Sequence, residues 1–183
     1  ALPFTVQVAD ADGTTACTTF NISVTDDVPV ASDDATLSLA EGGETVTGNV
    51  LSNDVVGADG AEVTSFTYTA EDGTTRTGAV GVEVDTQFGS LTVNADGAFS
   101  YTSDASVDNT GGAPLTDGFT YTLTDADGDS STATQSFSIT DDGPTIVGVD
   151  GAVDEDDLAS GSDSDKEPVT VTGALTIDGG ADG

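Results

Sequence analysis

Asp125-Ala-Asp-Gly-Asp129 sets three carboxylates at alternate positions of one short turn. Side chains so spaced surround a single point. Carboxylate oxygens and turn carbonyls are what calcium takes, roughly six to eight of them at about 2.3–2.6 Å. The spacing is that of the opening of an EF-hand loop, which this is not: the glycine comes too early and no glutamate closes the far end. Asp10-Ala-Asp-Gly-Thr14 repeats the pattern with threonine in the last place. Asp10 and Asp12 therefore form a weaker or differently completed set. Both stretches also suit a plain hairpin turn, because Asp and Gly are good turn formers.

Two aspartate pairs stand beside prolines: Asp26-Asp27 before Pro29, and Asp141-Asp142 before Pro144. Asp33-Asp34 follows the first. Asp154-Glu155-Asp156-Asp157 follows the second. A polar linker with proline at its boundary explains such pairs without a metal. Asn94-Ala-Asp-Gly97 and Glu71-Asp-Gly73 read as plain turns. Asn53-Asp54 and Asp59 lie in a loop able to add ligands, but their spacing is not diagnostic.

The charge balance gives these clusters their weight. The chain of 183 residues has 34 acidic and 2 basic side chains, Arg76 and Lys166, for a net charge of −32. Salt bridges cannot neutralise that surface, and a compact body so charged repels itself. Bound cations relieve the repulsion; so does a salt-rich medium of the kind a halophile's acidic surface requires. Nucleic acid and anionic membrane are excluded as partners, since both call for basic patches. No stretch is long and apolar enough for direct membrane insertion. Cys17 is the only cysteine, so no intrachain disulfide forms, and its place in an alternating strand favours packing over reactivity. Histidine is absent, so a Ser–His or Cys–His pair is impossible. Paired carboxylates remain, but in turns with no apolar surroundings to raise a pKa. An enzyme is not expected.

The elements that must position the acids are strands. Thr36–Leu39 and Glu44–Thr47 alternate; Val63–Thr69 turns at Glu71-Asp-Gly73 and returns through Thr75 to Val84. Ser90–Val93 and Ala98–Tyr101 flank Asn94–Gly97, and Phe119–Thr124 and Thr132–Thr140 flank the acidic turn. No helical period is present. The pattern also repeats. Phe4–Gly13 aligns with Phe119–Gly128, and Thr25-Asp-Asp-Val-Pro29 with Thr140-Asp-Asp-Gly-Pro144, both 115 positions on. Val46-Thr-Gly48 and Gly57-Ala-Asp-Gly60 echo at Val171 and Gly180, where a longer opening loop widens the offset. The division predicted is 1–28, the last hairpin of one repeat; 29–143, a complete repeat; and 144–183, the opening of a third. The first residues already read as mid-domain strand, which marks the chain as an internal segment. About seven to eight strands in a repeat of this size suit an immunoglobulin-like sandwich.

Topology then predicts where the acids meet. One long strand leads up to the acidic turn and the next leads back to the aspartate pair, so the two lie at opposite ends of a repeat. In a head-to-tail array, Asp125, Asp127 and Asp129 approach Asp26 and Asp27, with Asp33 and Asp34 nearby. The next joint collects Asp141, Asp142, Asp154, Glu155, Asp156 and Asp157 with residues that follow position 183. Calcium shared there stiffens the joint.

Thr47-Gly-Asn-Val-Leu-Ser-Asn-Asp54, Leu91-Thr-Val-Asn-Ala-Asp-Gly97, Tyr121–Asp129 and Thr140-Asp-Asp-Gly-Pro144, taken in order, resemble the VCBS-like, cadherin-like repeats of giant bacterial adhesins exported by type I secretion, the RTX adhesins and biofilm-associated proteins. Val171–Gly183 is similar to a sister repeat type of the same proteins. The resemblance implies an all-β chain of tandem Ig-like (cadherin-like) antiparallel β-sandwich repeats, one complete and two partial. It implies an extender module, joined end to end with calcium at the joints, that projects a distal binding domain from a Gram-negative surface for adhesion or biofilm formation. Two departures stand out: Thr14 in the first turn, and a cysteine in proteins that avoid it. The glycine-rich nonapeptide of RTX proteins is absent. The partners expected are neighbouring repeats of the same chain, and lateral or head-to-tail copies in a filament. A structural subunit of an extracellular filament or surface layer is an alternative, and so is a glycan- or protein-binding module. Against the last, aromatic residues are few, and Tyr68, Tyr101 and Tyr121 sit in strand patterns.

Overall fold

The computed structural model describes residues 1–109, 112–148 and 173–181. Asp154, Glu155, Asp156 and Asp157 lie outside the described residues. The strands are β1 (Leu2–Ala9), β2 (Thr15–Ile22), β3 (Leu37–Ala40), β4 (Thr45–Asn49), β5 (Ala61–Thr69), β6 (Thr75–Gly78), β7 (Val84–Asp85), β8 (Gly89–Val93), β9 (Ala98–Ser103), β10 (Leu115–Asp125), β11 (Ser130–Thr140), β12 (Thr145–Gly148) and β13 (Leu175–Asp178). One 3₁₀ turn, Val50–Asn53, follows β4. The chain is all-β, as its alternation predicts.

β3 to β11 form a sandwich of two sheets, ordered β3-β11-β10-β5-β6 and β4-β9-β8-β7. Alternation drives it. Phe119, Tyr121 and Leu123 of β10 and Phe137 and Ile139 of β11 point inward, while the threonines and serines between them face out. Phe66, Leu91, Val93 and Tyr101 complete the core from both sheets. Phe137 sits at its centre, stacked on Tyr101 at 4.0 Å between ring centroids and tilted against Phe99 and Phe119.

Three details exceed the sequence pattern. First, β3 runs parallel to β11, Leu37 beside Phe137, whereas the other ladders are antiparallel. Second, the return from Glu71-Asp-Gly73 divides between the sheets: β6 ends at Gly78 and β7 begins in the opposite sheet. The Phe66 ring fills the space that a Cβ on Gly78 would take. This split makes nine strands in the sandwich rather than seven or eight. Third, the core holds a carboxylate. Asp117, 6% exposed, accepts hydrogen bonds at Oδ2 from Thr86 Oγ1 (2.7 Å), Tyr101 Oη (3.0 Å) and the Phe88 N–H (3.1 Å). Those donors compensate a burial that would otherwise cost several kcal/mol, on the order of an unpaired buried charge. Burial, then the Asp117 charge, pushes the Tyr101 hydroxyl pKa up, so it stays a donor.

The flanking ribbons are thinner. β1 and β2 pair in the register of β10 and β11: Phe4 opposite Phe20 matches Phe119 opposite Gln135. Their apolar side chains stay exposed, Phe4 at 45% and Val8 at 65%, where the matching Phe119 and Leu123 are buried. β12 pairs with β13, Thr145 opposite Asp178, and Ile146 and Ile177 are likewise exposed.

Phe137→Ala should lower sandwich stability by about 3–5 kcal/mol, because it removes the ring on which the aromatic cluster converges. Urea unfolding followed by tyrosine fluorescence should show a lower midpoint at unchanged slope.

Candidate metal centre

The acidic turn closes on its own first residue. Asp125 Oδ1 accepts the N–H groups of Gly128 (3.0 Å) and Asp129 (2.8 Å), and the Asp125 N–H donates to the Asp129 carbonyl (3.0 Å). Gly128 holds φ at +106°, which a side chain disfavours. The first turn is built alike: Asp10 Oδ1 accepts from the N–H groups of Asp12 and Thr14. The leading aspartate thus shapes each turn, and the later positions are free to face outward.

At the second turn those positions meet the linker. Carboxylate oxygens of Asp125, Asp127 and Asp129 lie within 4.8 Å of one another, and so do those of Asp26, Asp59 and Asp127. Asp127 belongs to both groups and joins them. Asp26 comes from the linker, Asp59 from the loop before β5, and the rest from the β10–β11 turn. A cavity of 330 Å³ opens beside them, between Asp59, Glu62 and Asp125. Among the described residues these are the only two such groups, and Asp10 and Asp12 enter neither.

Other predicted members go elsewhere. Asp27 turns to the loop, where its Oδ2 accepts the Ala58 N–H at 3.1 Å. Asp33 accepts the Thr134 N–H at 2.9 Å, along β11. Asp34 faces Asp54, which takes a hydrogen bond from Tyr121 Oη at 2.9 Å. At the opposite end, Asp142 N–H donates to Glu41 Oε1 (3.1 Å), and Val107 N–H donates to Glu41 Oε2 (2.7 Å). Asp141 also bonds Glu41. Glu41 is buried, and these donors, Val107 first, hold its carboxyl below the usual range. Sequence spacing singles out neither Glu41 nor Asp59. A signal for Asp59 does exist: it sits in an Ala-Asp-Gly unit like that of Ala126-Asp-Gly128.

Crowding shifts the titrations. A hydrogen bond shared with Asp125, then burial, then the charges of Asp125, Asp26 and Asp129 push Asp127 up to about 6. A hydrogen bond shared with Asp26 raises Asp129. Burial works against ionisation of Asp125, but its bonds to Asp127 and to the turn N–H groups outweigh it and hold it low. Burial, then Asp54 and Asp33, raises Asp34 to about 6.

The donor set tests which cation fits. Every grouped ligand is a carboxylate oxygen, with no nitrogen or sulfur. Two oxygens on opposite sides of one calcium stand about 5 Å apart, so the spread within each group suits one ion.

A two-sheet sandwich with its carboxylates gathered at the linker end is a cadherin-like β-sandwich module, a structural and adhesion-type fold. A family model described as bacterial cadherin-like domain matches residues 26–143. The chain belongs to that family. No curated protein matches the chain. No helix among the described residues is long and apolar enough to cross a membrane.

The shifts set a pH dependence. A carboxyl whose folded pKa is raised contributes stability when protonated, and loses it as pH rises through the folded value. For Asp127 and Asp34 the window runs from 3.8 to about 6. Asp12, Asp125 and Glu41 are held below their ordinary values, and their opposite contribution is gained as they ionise, at or below the foot of this window. In chelator, the melting temperature followed by circular dichroism should therefore fall as pH rises through this window. Calcium should bind more tightly over the same window, because protons compete for its ligands.

Proposed function

We propose that this chain is a calcium-rigidified extender segment of a secreted bacterial surface adhesin, of the VCBS-like and RTX type. It projects a distal binding domain from the cell surface for adhesion or biofilm formation. One observation carries the reading: Asp26, on the linker side of the joint, meets Asp59 and Asp127 on the sandwich side. Asp26, Asp59 and Asp127 would hold the ion that bridges the joint, and Asp125 and Asp129 complete a second group with Asp127 on the turn. Bound calcium supplies two positive charges that these carboxylates otherwise lack.

The rest of the mechanism belongs to the chain. The β10–β11 ribbon holds Asp125, Asp127 and Asp129 at the sandwich end. The linker carries Asp26 to them, so an ion bound to both sides resists bending. Binding to the ordered joint alone stabilises that joint by mass action. The acidic surface opposes the bend as well, because like charges spread apart.

Neighbouring repeats are the proposed partners. Supporting this is the bare apolar face of β1–β2, whose residues match the buried face of β10–β11 position for position. The proposed location is the extracellular cell surface.

Calcium titration by calorimetry, with small-angle scattering before and after chelation, tests this function. Chelator should shorten the maximum dimension of the chain; an unchanged length sinks the proposal. Asp127→Asn removes the carboxylate common to both groups. It should weaken calcium binding by at least the roughly tenfold that loss of an outer-shell partner already costs.

A further inference from the structure

The linker is held a second way, with no carboxylate cluster involved. The Gly57-Ala58 loop lies against the main chain of Asp27. A Cβ on Gly57 would stand 2.9 Å from the Asp27 carbonyl oxygen, and the Ala58 N–H donates to Asp27 Oδ2 at 3.1 Å. Just beyond, Val30 and Val55 form an isolated antiparallel bridge, with N–H to carbonyl distances of 2.8 and 2.9 Å.

The approach of a glycine to a linker carbonyl recurs at the other end of the sandwich, with the hydrogen bond now on the carbonyl and not on the side chain. A Cβ on Gly180 would collide with the Asp142 carbonyl oxygen, and the Ala181 N–H donates to that oxygen at 3.2 Å. Thr145 pairs with Asp178, as Val30 pairs with Val55. Gly57 has φ of +74° and Gly180 of +72°. The chain between aspartate and glycine differs in length: from Asp27 to Gly57 is 30 positions, and from Asp142 to Gly180 is 38. Two stretches of unequal sequence length thus each bring a glycine onto a linker carbonyl. Loop length does not set that approach. At the second site Ala181 also meets Gly42, in the β3–β4 turn of the sandwich behind it, with 3.7 Å between the Ala181 Cβ and a Cβ placed on Gly42.

We infer that the Gly-Ala-Asp-Gly loop is a main-chain socket for the Asp-Asp-x-Pro linker that precedes it, and that this socket sets the angle between successive units. Glycine is required for two separable reasons. Its φ lies in the left-handed region, which a side chain disfavours. Its missing Cβ also leaves room for the carbonyl of the linker. Gly60, in the same loop, separates the two: its φ is +70°, but nothing lies within 4 Å of a Cβ placed there. The contact common to both joints is that of glycine with a linker carbonyl, and Asp27, whose carboxylate takes the Ala58 N–H, belongs to neither carboxylate group, so the socket persists whether or not a cation occupies those groups.

Paired spin labels on the full chain test this. One goes on the native Cys17, which is exposed on β2, and one on Glu83→Cys, which is exposed in the sandwich. Gly60→Ala should keep the single narrow distance of the parent. Gly57→Ala should lose it, with the circular dichroism melt of the sandwich matching that of Gly60→Ala. Gly180→Ala, with Cys17→Ser and labels on Glu83→Cys and Thr176→Cys, should do the same at the second joint and reports on the socket even if Gly57→Ala fails to fold. Equal distance distributions for the loop-contact and open-space variants would overturn the socket. Repeating the measurement in calcium and in chelator keeps the two readings apart. A parent distance that ignores chelator, with Gly57→Ala still broadened, removes the cation from the joint and leaves the socket.

Discussion

The long β10–β11 ribbon is the constraint on which the rest depends. It holds the centre of the five-stranded sheet, with β3 on one edge and β5 on the other. Its inward residues supply much of the core, including Phe137 at the meeting point of the aromatic rings. Strands of eleven residues span roughly 35 Å, so the ribbon reaches from one end of the sandwich to the other. Its turn therefore stands at one end and the aspartate pair after β11 at the other. Every relation between joints follows from that separation.

Charge explains what sits where. With 34 acids and two basic side chains, acids spread evenly over the sheet faces would oppose one another with no counter-charge. The outward faces of β10 and β11 carry threonine and serine instead, and hydroxyls hydrogen-bond without charge. The acids gather at turns, loops and linkers, where Asp also serves the backbone. Asp125 and Asp10 show this double duty, each closing its own turn through Oδ1. Asp117 is the exception that the core tolerates, because three donors converge on one of its oxygens.

The joint at Asp26 and Asp27 thus combines two kinds of force. The carboxylate cluster is electrostatic and depends on pH and ions. The contact of glycine with linker carbonyl is steric and depends on neither. Glu41 adds a third element at the lower end, where its buried carboxylate ties the β3–β4 turn to both the linker and the loop at Val107. The linker contacts place Asp26 beside the turn, where a hydrogen bond shared with it raises Asp129, while one shared with Asp125 is the first cause that raises Asp127.

The sequence alone determined the all-β class, the hairpins and the strand ends that flank the Glu71 and Asn94 turns, because alternation and Asp-Gly turns act over a few residues. The repeat made the β1–β2 register legible too. It also pointed to Asp26, Asp125, Asp127 and Asp129 through topology, since a hairpin must return to where it began. Only the tertiary structure decided that Asp27, Asp33 and Asp34 turn away while Asp59 comes in. Each of those outcomes depends on which backbone N–H or neighbouring loop lies closest, and those groups are brought near by pairings tens of residues apart. The parallel β3–β11 pair, the crossing of the chain after Gly78 and the burial of Asp117 have the same origin. A short pattern records which way a side chain faces, but not what the other sheet places in front of it.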